Sequence, residues 1–365
     1  MQDDSENKAE NATLESDAKL TTSNTDVNDD KDDVQNSDTD SVDVTDNNEI
    51  NQSTPTDGLG PDGIYYSDGK PANGVQKDGF NYSNGLLVPG LQLVNGASYY
   101  INDNHVKLIN TWQNVSGKLY YFGADGKTLQ QGLNTISGKL YLVDTDNSMK
   151  RNSWSTISNK TYWFENDGHA TDAGLRTVGG VLMFFSADHS QRKNAWADVS
   201  GKSYWFENNG HAANLGLRNM GGFLTYFNAD HSQRKNAWAD VDGKSYWLEG
   251  NGHAANPGLR NMGCFLTFFN ADHSQRKNAW ADVNGKSYWL EGNGHASNEG
   301  LKNISNFLTY FNRDHSQRKN AWADVNGKSY WLEGNGHASN EGLKNIGNFL
   351  TYFNRDHSQR EECMG

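Results

Sequence analysis

The sequence predicts an all-β protein: a solenoid of stacked β-hairpins, built of 21-residue units paired into a 42-residue double repeat and preceded by a disordered tail. Three observations predict it. Every one of the 11 Trp, 16 Tyr and 15 Phe residues of this 365-residue chain lies from Tyr65 onward. From Tyr99 the aromatics recur at 21-residue intervals without an insertion. Between them, in one register, stand dipeptides of Asn, Asp, Ser and Gly, the residues that favour two-residue hairpin turns with positive φ.

Residues 1–57 form the tail. They hold 17 Asp or Glu against Lys8, Lys19 and Lys31, so they carry the whole acidity of a chain with formal charge −13 and leave the remainder at net +1. A segment without aromatics and rich in Asn, Ser, Thr and Asp cannot bury enough apolar surface to offset its chain entropy. Met1 is followed by Gln2, Asp3 and Asp4 rather than by a basic and then apolar segment, and no stretch approaches the ~20 apolar residues of a membrane span. The expectation is a secreted or cell-surface protein, written without its signal peptide, and no membrane partner. Residues 58–91 hold looser copies of the repeat around Tyr65-Tyr66 and Phe80-Asn81-Tyr82, expected to cap the array.

Residues 92–360 are read as a thirteen-unit hairpin array. One column runs Tyr99, Tyr120, Tyr141, Tyr162, Met183, Tyr204, Thr225, Tyr246, Thr267, Tyr288, Thr309, Tyr330, Thr351, and in the next twelve of thirteen residues are aromatic. Placing Ser200-Gly201 in the turn pairs Val199 with Lys202, Asp198 with Ser203, Ala197 with Tyr204 and Trp196 with Trp205. Side chains alternate along a strand, so Ala197, Val199, Tyr204 and Phe206 share a core face, and Trp196, Asp198, Ser203 and Trp205 share the other. Gly263-Cys264 is the awkward turn, because Cys with positive φ is uncommon. The column of Trp196 alternates Leu and Trp from Leu91 to Leu343, which doubles the period to 42. Isolated hairpins are marginal, so stacking must supply the stability. Residues 361–365 break the register and are expected to be a truncated or artefactual end.

The strings Trp280 to His295 (Trp-Ala-Asp-Val-Asn-Gly-Lys-Ser-Tyr-Trp-Leu-Glu-Gly-Asn-Gly-His) and Gly117 to Lys127 (Gly-Lys-Leu-Tyr-Tyr-Phe-Gly-Ala-Asp-Gly-Lys) resemble the cell-wall/glucan-binding repeats of lactic-acid-bacterial glucansucrases, of dextransucrase type, and of glucan-binding proteins. Choline-binding repeats are more distant relatives. The resemblance covers roughly residues 60–360 and implies a secreted, non-catalytic region that binds an α-glucan such as dextran. A catalytic barrel needs ~250 residues of its own, and the chain has no room for one. Catalytic residues, cofactors and metals are therefore expected to be none. A full-length parent would be a glucansucrase.

A sugar ring presents an apolar CH face and a rim of hydroxyls, so it suits an aromatic platform beside hydrogen-bonding groups. The candidate carbohydrate-binding residues are Trp154 and Trp163; Trp196, Asp198, Ser203 and Trp205; Trp238, Asp240, Ser245 and Trp247; Trp280, Asp282, Ser287 and Trp289; and Trp322, Asp324, Ser329 and Trp331. The competing reading makes these Trp residues glue between hairpins, since cross-strand aromatic pairs are ordinary sheet stabilisers. Two columns of His, beginning at His169 and His189, lie one per 42 residues in turn sequences, which fits turn-capping or ligand hydrogen bonding and not a metal cluster. The Arg-Lys steps (Arg192-Lys193 and its copies) read as solvated turns, because net +1 lacks the basic excess of a nucleic-acid binder. Two alternatives stand beside the glucan reading. One is a choline-binding cell-wall anchor, which wants aromatics on consecutive hairpins where Leu175, Leu217, Leu259, Leu301 and Leu343 interrupt them. The other is a dextransucrase fragment sharing its parent's glucosyltransferase activity.

Overall fold

The computed structural model describes residues 55–360. The tail expected over 1–57 lies almost wholly outside the described residues, as does the end at 361–365.

Two-residue turns organise everything that follows. At Ser200-Gly201 both residues take positive φ (51° and 76°), and Asn284-Gly285 repeats this (50° and 76°), the type I′ geometry that matches strand twist. The strands Ala195–Val199 and Lys202–Phe206 then pair antiparallel in the expected register, Trp196 opposite Trp205 and Asp198 opposite Ser203. Thirteen two-stranded sheets of this kind follow one another from Gly90–Val94/Ala97–Ile101 to Gly342–Ile346/Phe349–Phe353. They are the thirteen units legible in the sequence, and every strand element is β. Residues 58–88 form two small three-stranded sheets centred on Tyr65–Ser67 and Asn81–Ser83. At Gly263-Cys264 the turn changes type: Gly263 alone carries positive φ (87°), so Cys264 sits exposed in an ordinary conformation. This is the II′ solution, which asks for Gly only at the first position.

No hairpin shares a ladder with the next; backbone bonds spaced thirty residues apart join them instead. Gln275 N donates to Ser245 O (2.8 Å) and Ala296 N to Leu266 O (2.8 Å), and the pattern repeats along the array. Inside runs a single-file core. Ile101, Phe122, Phe164, Phe185, Phe206, Phe227, Leu248, Phe269, Leu290, Phe311, Leu332 and Phe353 are all 0% exposed, and Val143, the remaining member of that 21-residue column, is 2% exposed. Each hairpin thus contributes one fully buried side chain, worth ~1.5–3 kcal/mol, to a core that none could close alone. The opposite face is half-buried, as the alternation of residue types requires.

Candidate ligand-binding clefts

The face bearing Trp and polar groups does two jobs. Trp196 and Trp205 lie 5.5 Å apart between ring centres and nearly perpendicular (60°), and Trp196 also stacks on Phe227, the core residue of the following hairpin, at 5.8 Å and 23°. Trp154, Trp238, Trp280 and Trp322 repeat both contacts, the first with Trp163 and Phe185. The first Trp of each pair is therefore inter-hairpin glue on one side. All of the paired Trp residues stay partly exposed.

Asp198 and Ser203 are joined to each other. Ser203 Oγ donates to Asp198 Oδ1 (2.5 Å) and accepts from Lys235 Nζ (2.7 Å), 32 residues on. Ser245 bonds Asp240 and Lys277, and Ser287 bonds Asp282 and Lys319, in the same way, while Ser329 donates to Asp324. These serines spend their single proton internally, on aspartates that are themselves exposed. At the Trp154 hairpin Thr161 takes the place of Ser and accepts from Lys193 (3.0 Å).

A cleft recurs beside the first Trp. One of 270 Å³ is lined by Trp238, Asp240, Ser245, Phe265, Gln275, Asn293 and His295. One of 230 Å³, forty-two residues on, is lined by Trp280, Ile304, Ser305, Phe307, Thr309 and His337. A third, of 450 Å³, lies at the equivalent place near the start, with Trp112, Asn114, Tyr141, Arg151 and Asp167 in its wall. The first unites three successive hairpins: Trp238, Asp240 and Ser245 from Ala237–Val241/Lys244–Leu248, Phe265 from the next turn, and Asn293 and His295 from the turn after the third. Candidate Trp247 is not in this lining, nor is Trp289 in that of the second cleft.

Sequence reasoning singles out the His column as turn caps or ligand hydrogen-bonders; what it misses is the phenylalanine that backs each ring and the glutamine beside it. His253, His295 and His337 stack face to face on Phe223, Phe265 and Phe307 at 3.7, 3.7 and 4.0 Å. Gln275 Nε2 donates to Thr267 Oγ1 (3.1 Å), whose own proton goes to Gly294 O (2.6 Å), so the Gly-Asn-Gly-His turn is pinned where it meets the cleft. The other His column caps turns. His189, His231, His273, His315 and His357 take φ of 65–70° and donate Nδ1–H to a backbone carbonyl eighteen residues earlier, at 2.9–3.0 Å.

The Arg-Lys steps are not solvated turns. Lys277 reaches Ser245, and Arg276 lies over the Phe268 ring. On the outer turns a second lysine series pairs with aspartate twenty-eight residues on, as Lys244–Asp272 and Lys286–Asp314, both at 2.8 Å. The lysine ammonium, helped by the hydroxyl of Ser316, holds the Asp314 carboxyl down to about 2. Asp230, Asp272 and Asp356 are lowered by the same two partners in the same order.

Comparison with known proteins places the repeat. The family described as "Putative cell wall binding repeat", a choline-binding repeat family, matches residues 110–127 and 152–170, the hairpins of Trp112 and Trp154. No curated protein matches the sequence. Among solved structures, CbpJ from Streptococcus pneumoniae is similar at 17% identity with a TM-score of 0.46, covering 74% of this chain and 99% of that one. The choline-binding domain of CbpL from Streptococcus pneumoniae is similar at 23% identity with a TM-score of 0.44, covering 53% and 99%. Alternansucrase in complex with isomaltononaose is similar at 26% identity with a TM-score of 0.28, and the chain covers 19% of its length. The family match lies with the choline-binding class of repeat and not with one specific to glucansucrases. At residues 110–127 and 152–170 this hairpin array is thus similar to the repeat described as "Putative cell wall binding repeat".

Proposed function

We propose that residues 92–360 are a non-catalytic binding module that holds a polymer of the cell wall or its surroundings, one short stretch of polymer in each Trp-bearing cleft. The observation that carries this is the recurrence of a cleft beside the first Trp at multiples of 42 residues: the clefts of Trp238 and Trp280 share a Trp, a Phe and a His position, and the cleft of Trp112 shares the Trp and the polar positions of Asp240 and Asn293 with the first of them. A polymer can engage several such sites at once, and linked weak sites gain ~10²–10⁴ in avidity.

The lining favours a neutral saccharide. Trp238 offers a ring for the apolar face of a pyranose, and Asp240, Gln275, Asn293 and His295 offer hydrogen bonds to its rim. Lys277 stands on the cleft serine and offsets the Asp240 carboxylate bonded to that same serine, so the pair leaves no net negative charge there to draw a cation. An α-glucan of dextran type meets these requirements. The second reading is a choline-bearing wall polymer, and the matched repeat family favours it.

One column experiment separates the two. On the glucan reading the full chain is retained on cross-linked dextran and released by isomalto-oligosaccharide at constant salt, with no response to choline. Passage through dextran, with retention on a tertiary-amine matrix and release by choline, establishes the second reading instead. Incubation with sucrose is expected to release no fructose; fructose release would show that the chain is catalytic.

A further inference from the structure

The Leu-bearing hairpins alternate with the Trp-bearing ones, and from Leu175 onward each holds an arginine against an aromatic ring. The guanidinium carbons of Arg192, Arg234, Arg276 and Arg318 stand 4.7, 4.7, 4.4 and 4.6 Å from the ring centres of Phe184, Tyr226, Phe268 and Tyr310. Each Nη1 also donates to a backbone carbonyl of the following hairpin, that of Trp196, Trp238, Trp280 or Trp322, at 2.8–2.9 Å. Arg234, Arg276 and Arg318 add a bond from Nε to the side-chain oxygen of Asn228, Asn270 or Asn312, at 2.7–2.8 Å. Among the described residues no carboxylate pairs with these four arginines.

A ring face, a carbonyl dipole and an amide oxygen converging on one charge make a receptor for a weakly hydrated organic cation. We propose that each of these hairpins contains an organic-cation site, of guanidinium or quaternary-ammonium class, which the chain fills with its own arginine. The arginine closes the site to cations from solution. From Trp154 onward, positions open to an external ligand therefore recur every 42 residues and not every 21, although each hairpin of that stretch presents an aromatic. The arginine is a specificity-determining residue: it leaves the Trp clefts as the accessible sites and withdraws the intervening rings from competition. The proposal does not depend on which ligand the Trp clefts take.

An arginine that served only as a strut would leave no receptor behind when removed; an arginine that occupies a site would leave one. The test is chemical rescue of R234A and R276A in the full chain, with methylguanidinium and tetramethylammonium as probes and sodium chloride at matched ionic strength as the control. Both variants are expected to melt below the unaltered chain and to recover most of the lost Tm in a saturable, millimolar response to either organic cation, beyond any response of the unaltered chain. R192A is expected to bind the probes several-fold more weakly, because Ser186 stands where the other sites have Asn. A folded variant whose response equals that of the unaltered chain, or which sodium chloride restores equally well, overturns the proposal. Should R234A and R276A fail to fold in buffer, they are refolded with each probe present: recovery of the folded far-UV signal in methylguanidinium or tetramethylammonium but not in matched sodium chloride supports the proposal, and no recovery overturns it.

Discussion

Phe269 and Trp238 illustrate how one residue serves two levels of the molecule. Phe269 is wholly buried and takes the stacked ring of Trp238 from the hairpin before it. F269A is expected to cost ~3–5 kcal/mol in urea unfolding, because it opens the single-file core and removes the backing of a cleft wall. W238A should lower both Tm and polymer affinity, whereas W247F, outside that cleft, should leave affinity within about twofold of the unaltered chain. A twofold or smaller loss in W238A would remove Trp238 from the site. At this scale the sequence revealed the Trp, Asp and Ser positions, since alternation along a strand fixes which side chains share a face. It did not reveal Phe265 against His295, Lys277 on Ser245 or Arg276 over Phe268. The first two contacts join residues about thirty apart in different hairpins, and all three depend on how the arms and turns settle once hairpins stack. No local periodicity encodes that.

At the scale of the hairpin, turn chemistry and the outer ion pairs set stability. Gly285 holds φ of 76°, so G285A should cost ~1–2 kcal/mol through the Cβ strain of a left-handed residue. Cys264 needs no such freedom, and C264S should change stability by less than ~0.5 kcal/mol. The reverse order of these two would contradict the turn assignment. The Lys–Asp pairs predict an acid response. The carboxyls of Asp230, Asp272, Asp314 and Asp356 are held below their ordinary value in the folded chain, so folding favours their ionised form. Their contribution is complete above the ordinary carboxylate pKa of about 4 and is lost as pH falls through it toward about 2. Tm should drop across that window, and D272N should flatten the drop by its share. Because these groups are half exposed, added salt should shrink the effect. An unchanged Tm profile in D272N would show that the pair is idle. The hairpin register and most of the turn types were legible beforehand because they are local; the exceptions are Gly263-Cys264 and Gly347-Asn348, where the glycine alone takes positive φ. Gly263-Cys264 was misjudged for a specific reason: the dipeptide register was right, but the II′ turn shifts all the strain to the glycine.

For the whole array, each hairpin closes its neighbour's core, so stability grows with repeat number, and on the proposed function so does binding. Removing residues 300–360 should lower Tm modestly and reduce affinity for a long polymer more than in proportion to the sites lost, because avidity depends on simultaneous engagement. A proportional loss would mean independent sites. The thirteen units could be counted in the sequence, since an uninterrupted period leaves one way to divide the chain. The ligand could not be chosen there, because the same Trp columns suit a sugar face or an organic cation; the glucan reading proposed above rests on how Lys277 stands on Ser245 beside the cleft. The most direct test of the central claim is calorimetric titration of the full chain with isomalto-oligosaccharide and, separately, with choline. The cleft geometry predicts saturable heat with more than one equivalent of oligosaccharide, diminished stepwise by W196A, W238A and W280A, and none with choline. Saturable binding of choline with no heat from the oligosaccharide would contradict it.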